Sequence, residues 1–366
     1  MRVLGVCSYP IEAAATRFRL DQYVEPLREH GIELAVRPFL DSSEFRKLYR
    51  KSGFGRLALS TALSVVRRFG DVVGAGSYDL LYVQREAMPF GPALSEWMFQ
   101  RIVGLPIALD LDDATYVAYV SPRFGKVGSA LKFFGKTDSL IRNASVVICG
   151  NRIIADHVRT LGTIAVVVPT IVDTEKFRPS ERKNEVPVIG WIGTHSTLPS
   201  LQEILPVLQR LSEKHRFILR VVGAGSPISA DGLEIQNKEW SLQSEVDDFN
   251  SIDIGLYPIF GSKSADSRWL AGKSGFKAIE YMAVGVPFVM SPVGVCAELG
   301  IPGETHYNAD SPGDWYNSLD KLLEDEDLRR KMGAKGRQLS IDSFGLEQHS
   351  KVLADTLKAV CLKKID

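Results

Sequence analysis

Short apolar runs, each followed by small or polar residues, recur along the whole chain. Runs of this kind are typical of parallel strands, whose two faces are both covered by helices. They lie at residues 3–7, 32–38, 79–84, 106–109, 145–149 and 164–168, and again at 188–193, 217–222, 233–240, 253–257 and 288–290. The runs therefore predict two groups of buried strands.

Segments with the apolar period of a helix lie between and after these runs. They are found at residues 17–31, 199–215, 276–283, 314–323, 327–340 and 348–362. A strand, a helix and a second strand in succession form a parallel unit with a right-handed crossover. We therefore predict an α/β fold of two Rossmann-like, doubly wound domains, which bind ligands at the carboxyl ends of their strands.

The composition changes between residues 172 and 185, where Asp173, Phe177 and Pro179 precede a charged cluster. This composition is typical of a linker. A chain of 366 residues also exceeds what one core usually accommodates. We therefore expect an N-terminal domain at residues 1–172 and a C-terminal domain at residues 173–344, with the ligand site in a cleft between them.

Composition and charge narrow the class of protein. Lysine plus arginine equals aspartate plus glutamate, at 44 each, which disfavours a globally basic nucleic-acid binder. The four cysteines are scattered without a C-x-x-C pair, which argues against a zinc site or a disulfide framework and fits a reducing compartment. The first apolar run is too short for a signal peptide, and no run reaches the length of a membrane span. We therefore expect a cytoplasmic protein.

Two stretches of the chain are basic and amphipathic. Between Glu44 and Asp71 there are seven basic residues and no acid, namely Arg46, Lys47, Arg50, Lys51, Arg56, Arg67 and Arg68. A second stretch contains Arg123, Lys126, Lys132, Phe133, Phe134 and Lys136. Basic amphipathic helices are typical of membrane surfaces, so residues 45–70 and 122–136 are candidates for contact with the inner face of the cell membrane. The alternative is solvated helices that pack on the protein's own sheet.

Three aspartates follow the fourth apolar run. Asp110 and Asp112 share one face of an extended segment, and Asp113 comes next. Because like charges raise one another's pKa and cost energy, the group favours a functional role. The alternative is a helix N-cap by Asp112 or Asp113. Arg17 and Arg19 border the loop after the first strand, so these arginines and Asp110 are candidates for acceptor contacts, with surface charge as the alternative.

A small-residue loop with one cation, Gly272-Lys273-Ser274-Gly275, precedes the predicted helix at 276–283. Such a loop points amide N–H groups and a partial positive charge at whatever lies in front of it. Lys277 and Glu280 share one face of the helix, and a carboxylate at that depth suits a pair of sugar hydroxyls. The stretch predicts binding of a nucleotide-sugar diphosphate. The alternatives are a surface lysine at 273 and a solvated ion pair between Lys277 and Glu280.

Motifs in both halves of the chain carry a resemblance to a known family. The longest is Trp269-x-x-Gly272-Lys273-x-Gly275-Phe276-Lys277-x-x-x-Tyr281-Met282-Ala283-x-Gly285-x-Pro287, followed by Ser291-Pro292-Val293-Gly294 and Asp314-Trp315. Gly190-Trp191-Ile192-Gly193, Asp253-Ile254-Gly255-Leu256-Tyr257-Pro258 and Asp110-Leu111-Asp112-Asp113 accompany it. Over nearly its full length the chain resembles the retaining nucleotide-sugar glycosyltransferases with the GT-B fold, family 4 (group 1), and among them the bacterial polysaccharide-assembly branch.

The resemblance implies a donor site in the C-terminal domain. Glu280 would bind the ribose hydroxyls, while Gly272 stands where a glutamate usually holds the donor sugar. The family's usual phosphate-binding arginine and lysine are missing from the loop at 193–197. Lys273, with Lys277, is the expected substitute, because the charge that develops on the leaving diphosphate needs a cation. The expected donor-binding residues are Glu280, Lys277, Gly275, Ser274, Gly193, Thr194 and His195.

The resemblance also implies a reaction. A sugar would pass from a nucleotide diphosphate sugar to a glycan or polyprenyl-linked acceptor with retention at the anomeric carbon, without a metal or a covalent nucleophile, in cell-surface polysaccharide synthesis. Lys273, Asp112 and Asp113 are the expected catalytic residues, and the C-terminal helix at 345–366 is expected to pack on the N-terminal domain. Three alternatives are open: a metal-dependent GT-A-like transferase that uses Asp110 and Asp112, a sugar-nucleotide epimerase, and a non-enzymatic bilobal sugar-binding protein.

Overall fold

The structure is a computed structural model of the chain. It describes residues 1–49, 54–118, 125–181, 184–260 and 267–362. The chain folds into two units, one formed by Met1–Thr170 with Leu346–Asp366 and the other by Ile171–Gly345. In the described part of the chain, no helix is both long enough and apolar enough to cross a bilayer.

Unit 1 is built on a six-stranded parallel sheet with the strand order β2-β1-β3-β4-β5-β6. Its strands are β1 (Arg2–Cys7), β2 (Glu33–Pro38), β3 (Leu80–Gln84), β4 (Ile107–Leu111), β5 (Val146–Cys149) and β6 (Ala165–Val167). The strands β3, β4 and β5 are buried along their whole length, as expected when helices cover both faces of a sheet. The strand order reverses between β1 and β3, which makes the carboxyl ends of these strands a binding position.

The helices of unit 1 follow the strands in the expected alternation. They are α1 (Ala14–Arg19), α2 (Val24–Glu29), α3 (Ser42–Tyr49), α4 (Phe54–Val73), α5 (Leu94–Arg101), α6 (Gly125–Lys132), α7 (Gly135–Asn143), α8 (Arg152–Thr160) and, after unit 2, α15 (Leu346–Leu362). The last helix packs against α2 and β5.

The prediction of one continuous helix at residues 17–31 is wrong. The segment consists of α1, a 3-10 turn at Asp21–Tyr23, and α2. Pro26 explains the break, because it has no N–H group to donate within a helix and its ring clashes with the preceding turn. Restarting the helix at Val24 places Pro26 in the first turn, where a proline is tolerated.

Unit 2 has its own six-stranded parallel sheet with the order β12-β11-β10-β7-β8-β9. Its strands are β7 (Val188–Ile192), β8 (Ile218–Val222), β9 (Glu234–Lys238), β10 (Ile254–Tyr257), β11 (Phe288–Met290) and β12 (Tyr307–Asn308). The order reverses between β7 and β10, so the loops after these two strands border the binding position of this sheet. The two-residue strand β12 was absent from the predicted set.

The helices of unit 2 are α9 (Leu198–Ser212), α10 (Glu245–Asn250), α11 (Ser267–Ala271), α12 (Phe276–Ala283), α13 (Pro312–Glu324) and α14 (Glu326–Phe344). Helix α12 is held against α14 by a close backbone approach. A Cβ atom on Gly333 would lie 2.2 Å from the Gly285 carbonyl oxygen, so this packing requires glycine at 333. The helix that starts at the predicted phosphate loop is therefore fixed at both of its ends.

Candidate active site

Tyr281 connects α12 to the two strands at which the order of the second sheet reverses. Its hydroxyl lies 3.1 Å from the Gly190 carbonyl oxygen in β7 and 3.3 Å from the Leu256 carbonyl oxygen in β10, and donates to this pair. The ring of Tyr281 packs where a side chain on Gly255 would lie. Because α12 joins two parallel strands, it runs opposite to them, and its first residue lies at their carboxyl edge.

The loop that opens α12 depends on Gly275. This residue has a φ of +66°, a left-handed conformation that favours glycine. A Cβ atom there would also lie 2.1 Å from Leu299 Cδ1. Lys273 is partly buried, and its Nζ lies 4.0 Å from the centre of the Trp269 ring. The loop therefore places a cation just ahead of the first turn of α12, where amide N–H groups favour an anion.

Glu280 and Lys277 form the pair that the helical spacing predicts. The Lys277 Nζ donates to Glu280 Oε2 at 2.7 Å, and the Glu280 side chain is fully buried. Lys277 Nζ also lies 5.1 Å from the centre of the Phe249 ring. The carboxylate is thus an enclosed, ion-paired group, which differs from the solvated pair considered as its alternative. Its contact with a ribose stays a prediction.

The loop after β7 is a tight turn before α9. The Thr194 amide donates to Thr197 Oγ1 at 3.1 Å, and the Thr197 amide donates back to the Thr194 carbonyl at 2.9 Å. Thr194 and His195 are exposed. A Cβ atom on Gly193 would lie 2.3 Å from the Trp191 ring, so the turn requires glycine there. The predicted donor-binding residues therefore follow β7 and β10, two neighbouring strands at the carboxyl edge of one sheet.

In unit 1 the aspartates that follow β4 bind an arginine that follows β3. Arg85 Nε donates to Asp112 Oδ1 at 2.5 Å, and its Nη2 donates to Asp112 Oδ2 at 2.6 Å and to Asp113 Oδ2 at 2.7 Å. Gln84 Nε2 adds a hydrogen bond to Asp112 Oδ1 at 3.1 Å. Arg85 has a φ of +60°, which is uncommon for a residue with a long side chain. We call these four residues the Arg85 cluster.

The Arg85 cluster keeps Asp112 ionised. Burial alone would raise the pKa of Asp112, but the charge and hydrogen bonds of Arg85 outweigh it and lower the pKa below its ordinary value. Burial likewise acts to lower the pKa of Arg85, and the two aspartates raise it. Two carboxylates share one guanidinium, so the cluster carries one net negative charge. Asp113 remains partly exposed, at 27% of its side chain.

Gln84 and Arg85 had no predicted role, and of the two it is Arg85 that joins both aspartates. Its position could have indicated a role, because Arg85 comes one residue after the end of a buried strand, and that strand lies beside the one that carries the aspartates. The structure also explains Gly150: a Cβ atom there would lie 2.9 Å from the Asp112 Cα and carbonyl oxygen. A side chain at 150 would therefore displace the turn that presents Asp112.

Arg19 and Asp110 do not lie at the surface. They form a buried ion pair, in which Arg19 Nη2 is 2.6 Å from Asp110 Oδ2 and the side chains are 1% and 0% exposed. Tyr82 Oη donates to the same carboxylate at 2.8 Å, and Arg19 Nη1 donates to the Val168 carbonyl at 2.7 Å. This enclosure suits a role in holding α1 on the sheet, and the acceptor contact expected of both residues stays a prediction.

Arg17 is also turned inward. Its Nη1 donates to the Ile11 carbonyl at 2.9 Å and to the Glu12 carbonyl at 3.3 Å, and only 4% of the residue is exposed. The guanidinium therefore braces the loop after β1. It is not the exposed surface charge considered as the alternative, and its acceptor contact stays a prediction.

The two aspartates of the metal-binding alternative each hold an arginine: Asp110 binds Arg19, and Asp112 binds Arg85. Carboxylates that bridge a divalent cation would have to exchange these guanidinium groups for the metal. Within the described ranges, one other grouping has metal-ligand types close together, His215, Asp320 and Glu324. There Lys214 Nζ already contacts both carboxylates, at 2.9 Å and 2.6 Å. At both groupings the carboxylates therefore already have basic partners.

Part of unit 2 matches a known family model. Residues 259–339, which include the Lys273 loop and α12, match the family model described as Glycosyl transferases group 1. No curated protein sequence matches the chain.

Solved structures cover almost the whole chain. HepE from Anabaena, in complex with UDP-glucose, has a TM-score of 0.67 at 15% identity and covers 98% of this chain and 100% of its own. Sucrose-phosphate synthase from Thermosynechococcus elongatus has a TM-score of 0.66 at 14% identity, with 98% and 99% covered. A glycosyltransferase from Rickettsia africae has a TM-score of 0.68 at 14% identity, with 98% of each chain covered.

The two parallel-sheet units match the GT-B architecture, and the predicted fold class is confirmed. The family match and the fold together indicate a glycosyltransferase. The matched segment begins just after β10 and runs into α14, so it contains Ser274, Gly275, Lys277 and Glu280 but not the predicted donor-binding residues after β7.

Proposed function

We propose that this glycosyltransferase transfers a sugar, with retention, from a nucleotide diphosphate sugar to a glycan or polyprenyl-linked acceptor in cell-surface polysaccharide synthesis. The observation that carries the proposal is the Lys273 loop at the start of α12, inside the segment that matches the group 1 model. The complex of HepE with UDP-glucose makes a uridine diphosphate sugar the first donor to test.

In unit 2, Lys273 and the first turn of α12 would bind the diphosphate. As the bond between the anomeric carbon and the phosphate oxygen breaks, its electron pair passes to that oxygen. The Lys273 ammonium and the helix N-terminus stabilise the added charge. The acceptor hydroxyl then bonds to the anomeric carbon, and its proton passes to the departing phosphate. Gly275 lets the backbone approach the donor, and Ser274, Gly193, Thr194 and His195 complete the donor contacts.

Glu280 would accept hydrogen bonds from the ribose hydroxyls. Its pairing with Lys277 at 2.7 Å keeps a cation beside the buried carboxylate. This pair also gives the donor site a cation besides Lys273. Position 272 is a glycine where a glutamate usually binds the donor sugar, so the hydroxyls of the donor sugar need other partners.

In unit 1, the Arg85 cluster would bind a sugar hydroxyl. Asp113 is partly exposed and ionised carboxylates accept hydrogen bonds only, so a sugar hydroxyl is the matching donor. Asp112 is held from two sides by Arg85 and Gln84, which suits a residue that orients the turn. Asp113 is accordingly the proposed hydroxyl contact, with Asp112 beside it.

The proposed reaction needs no metal, and chelation tests this point. Transfer that persists in EDTA is expected, because guanidinium groups occupy the carboxylates of Asp110 and Asp112. Activity that is abolished by EDTA and restored by Mn²⁺ would instead support the GT-A-like alternative.

The protein is proposed to work in the cytoplasm, on the inner face of the cell membrane where lipid-linked acceptors are exposed.

A donor panel tests the function as a whole. Melting is followed with UDP-, GDP-, ADP- and dTDP-sugars, since a ligand that binds only the folded state raises the melting temperature. The donor that stabilises is then incubated with polyprenyl-linked and glycan acceptors, and the configuration of the product is determined. A donor that is isomerised without an acceptor would indicate the epimerase, and tight binding without turnover on any acceptor would indicate the binding protein.

A further inference from the structure

The ring of Tyr116, in the segment after β4, stacks on the ring of His157 in α8. The two ring centres are 3.7 Å apart, and the ring planes differ by 11°. His157 Nε2 lies 3.1 Å from Asp138 Oδ1 in α7, so a hydrogen bond joins the imidazole to that carboxylate. We call Tyr116, His157 and Asp138 the His157 clamp. The reaction proposed above gives no role to these three residues.

Tyr116 belongs to a short turn that begins at Asp113. The Thr115 amide donates to the Asp113 carbonyl at 2.7 Å, and the Val117 amide donates to the Ala114 carbonyl at 3.0 Å. Ala114 and Val117 are buried. The turn is therefore closed by its own hydrogen bonds and packs as a unit, so that a shift of Tyr116 would move Asp113 with it.

The other two residues of the clamp lie on helices that the core of unit 1 holds in place. Both helices contribute buried side chains to one apolar cluster, namely Leu140, Ile141, Ile154, Ala155 and Val158. Tyr116 packs against the same cluster. Because α7 and α8 are anchored in this way, His157 and Asp138 offer the turn a rigid support.

The clamp itself lies near the surface. The side chains of His157 and Asp138 are 27% and 37% exposed. Contacts that water can reach contribute less to stability than buried ones do. Removing the clamp should therefore loosen the turn and leave unit 1 folded.

Asp113 depends on this turn more than Asp112 does. Asp112 is 5% exposed, both of its carboxylate oxygens accept from Arg85, and its backbone packs on the bare Cα of Gly150. Asp113 is partly exposed and accepts from Arg85 through Oδ2. A change in the turn should thus displace Asp113 and leave Asp112 in place.

We propose that the His157 clamp positions Asp113 for its contact with the acceptor sugar. A carboxylate oxygen must lie about 2.5–3.0 Å from the hydroxyl oxygen that donates to it, so a displaced turn weakens acceptor binding. The donor loop of unit 2 has no part in this contact. Tyr116, His157 and Asp138 are positioning residues, because they act through Asp113. The inference rests on the proposed function, from which it takes the hydroxyl contact of Asp113.

Hydrogen exchange of the full-length protein tests the clamp without any substrate. Mass spectrometry follows the peptide that contains the Thr115 and Val117 amides. We expect about tenfold faster exchange in His157→Ala, which loses both the stacked ring and the hydrogen bond. His157→Phe should restore most of the protection, because it keeps a ring. The matched control is His30→Ala, at another half-buried histidine of unit 1, which should exchange as the wild type does.

A double variant tests whether the two rings act together. Tyr116→Ala with His157→Ala should exchange no faster than either single variant, because each change removes the same stack. Melting temperatures establish that the variants are folded. Unchanged exchange in His157→Ala would overturn the clamp, and so would additive effects in the double variant or faster exchange spread over the whole of unit 1.

Transfer kinetics test what the clamp does for the reaction, with UDP-glucose as the donor and octyl β-glucoside as the acceptor. His157→Ala should raise the KM for the acceptor about tenfold and leave the KM for UDP-glucose within about twofold. A residue that only maintains the fold would change both values or neither. In the Asp113→Asn background, His157→Ala should have no further effect.

The same kinetics separate this inference from the proposed function. If Asp113→Asn leaves the KM for the acceptor unchanged, the hydroxyl contact of the proposed function is wrong, and the clamp has no contact to position. If Asp113→Asn raises that KM and His157→Ala does not, only the role of the clamp is overturned.

Discussion

Arg85 binds both carboxylate oxygens of Asp112, at 2.5 Å and 2.6 Å, from a backbone with a φ of +60°. Such a conformation costs on the order of 1–3 kcal/mol and persists where the surroundings over-determine it. Here the surroundings are Gln84, Asp113 and the bare Cα of Gly150. The strain therefore coincides with a charged group at the carboxyl edge of the first sheet that several hydrogen bonds hold in place.

Replacing Arg85 by glutamine should change the pH dependence of transfer. The guanidinium lowers the pKa of Asp112 against the effect of burial, so its removal lets burial raise that pKa. The acid limb of the kcat/KM profile should move to higher pH, and Arg85→Lys should give an intermediate profile because it keeps the charge and loses the two-point contact. If the wild type and both variants gave superimposable profiles, Arg85 would not control the ionisation of Asp112.

Replacing Lys273 by alanine should reduce kcat by about 10²–10³, the range found when one group that stabilises developing charge is removed. The melting temperature should change little, because Lys273 is only partly buried in its loop. The matched control is Lys335→Ala, which removes an exposed lysine of the same unit that pairs with Glu304. A parallel loss of activity and melting temperature in the Lys273 variant would assign this lysine to folding.

Replacing Glu280 by glutamine should weaken UDP binding about tenfold, as expected when a charged acceptor of hydrogen bonds is lost. Calorimetry with UDP and with its 2′,3′-dideoxy analogue separates the two roles of the residue. If Glu280 binds the ribose, the substitution lowers affinity for UDP and leaves affinity for the analogue nearly unchanged. Equal losses for both ligands would mean that the buried pair with Lys277 only maintains the fold. Glu304→Gln, at an exposed glutamate, is the control.

Replacing Arg19 by methionine should lower the free energy of unfolding by roughly 3–5 kcal/mol, because it leaves the buried Asp110 charge without its partner. Replacing both residues, as Arg19→Met with Asp110→Leu, should restore much of the loss, since no isolated charge remains. Urea denaturation of the two variants and the wild type measures this difference. A cost below about 1 kcal/mol for the single variant would mean that the pair is weaker than its burial implies.

His306 should make unit 2 sensitive to acid. Its ring is buried and stacked on Phe288 at 5.0 Å, and burial lowers its pKa from 6.5 to about 4. Because the unfolded chain takes up the proton first, stability is complete above pH 6.5 and falls as the pH drops toward 4, by up to roughly 3 kcal/mol. His306→Gln should flatten this part of the curve of unfolding free energy against pH. If the slope of unfolding free energy against pH were unchanged in this variant, groups other than His306 would cause the acid sensitivity.

Local patterns were enough to locate the strands other than β12, the helix α12 and the small-residue loop that precedes it. Buried parallel strands leave unbroken apolar runs, and the one-turn spacing of Lys277 and Glu280 is a property of any helix. The same local signals also failed at defined places. Pro26 was read as part of a continuous helix, and the two-residue strand β12 is too short to leave a pattern. The role of Arg85 depends on contacts with residues that follow a neighbouring strand. A local sequence pattern does not show which strands are neighbours.

The sequence by itself determined the α/β class, the repeat of the pattern in two halves and the loop with Lys273, because these follow from residue order and periodicity. Tertiary structure alone decided which charges meet. It enclosed Arg19 with Asp110 and left Asp113 partly exposed, although Asp110 and Asp113 are only three residues apart. Strand order sets these pairs: β3 lies beside β4, so an arginine and two aspartates some 27 residues apart share one site. The pairing energy of such groups depends on burial and distance, and only the folded chain fixes those.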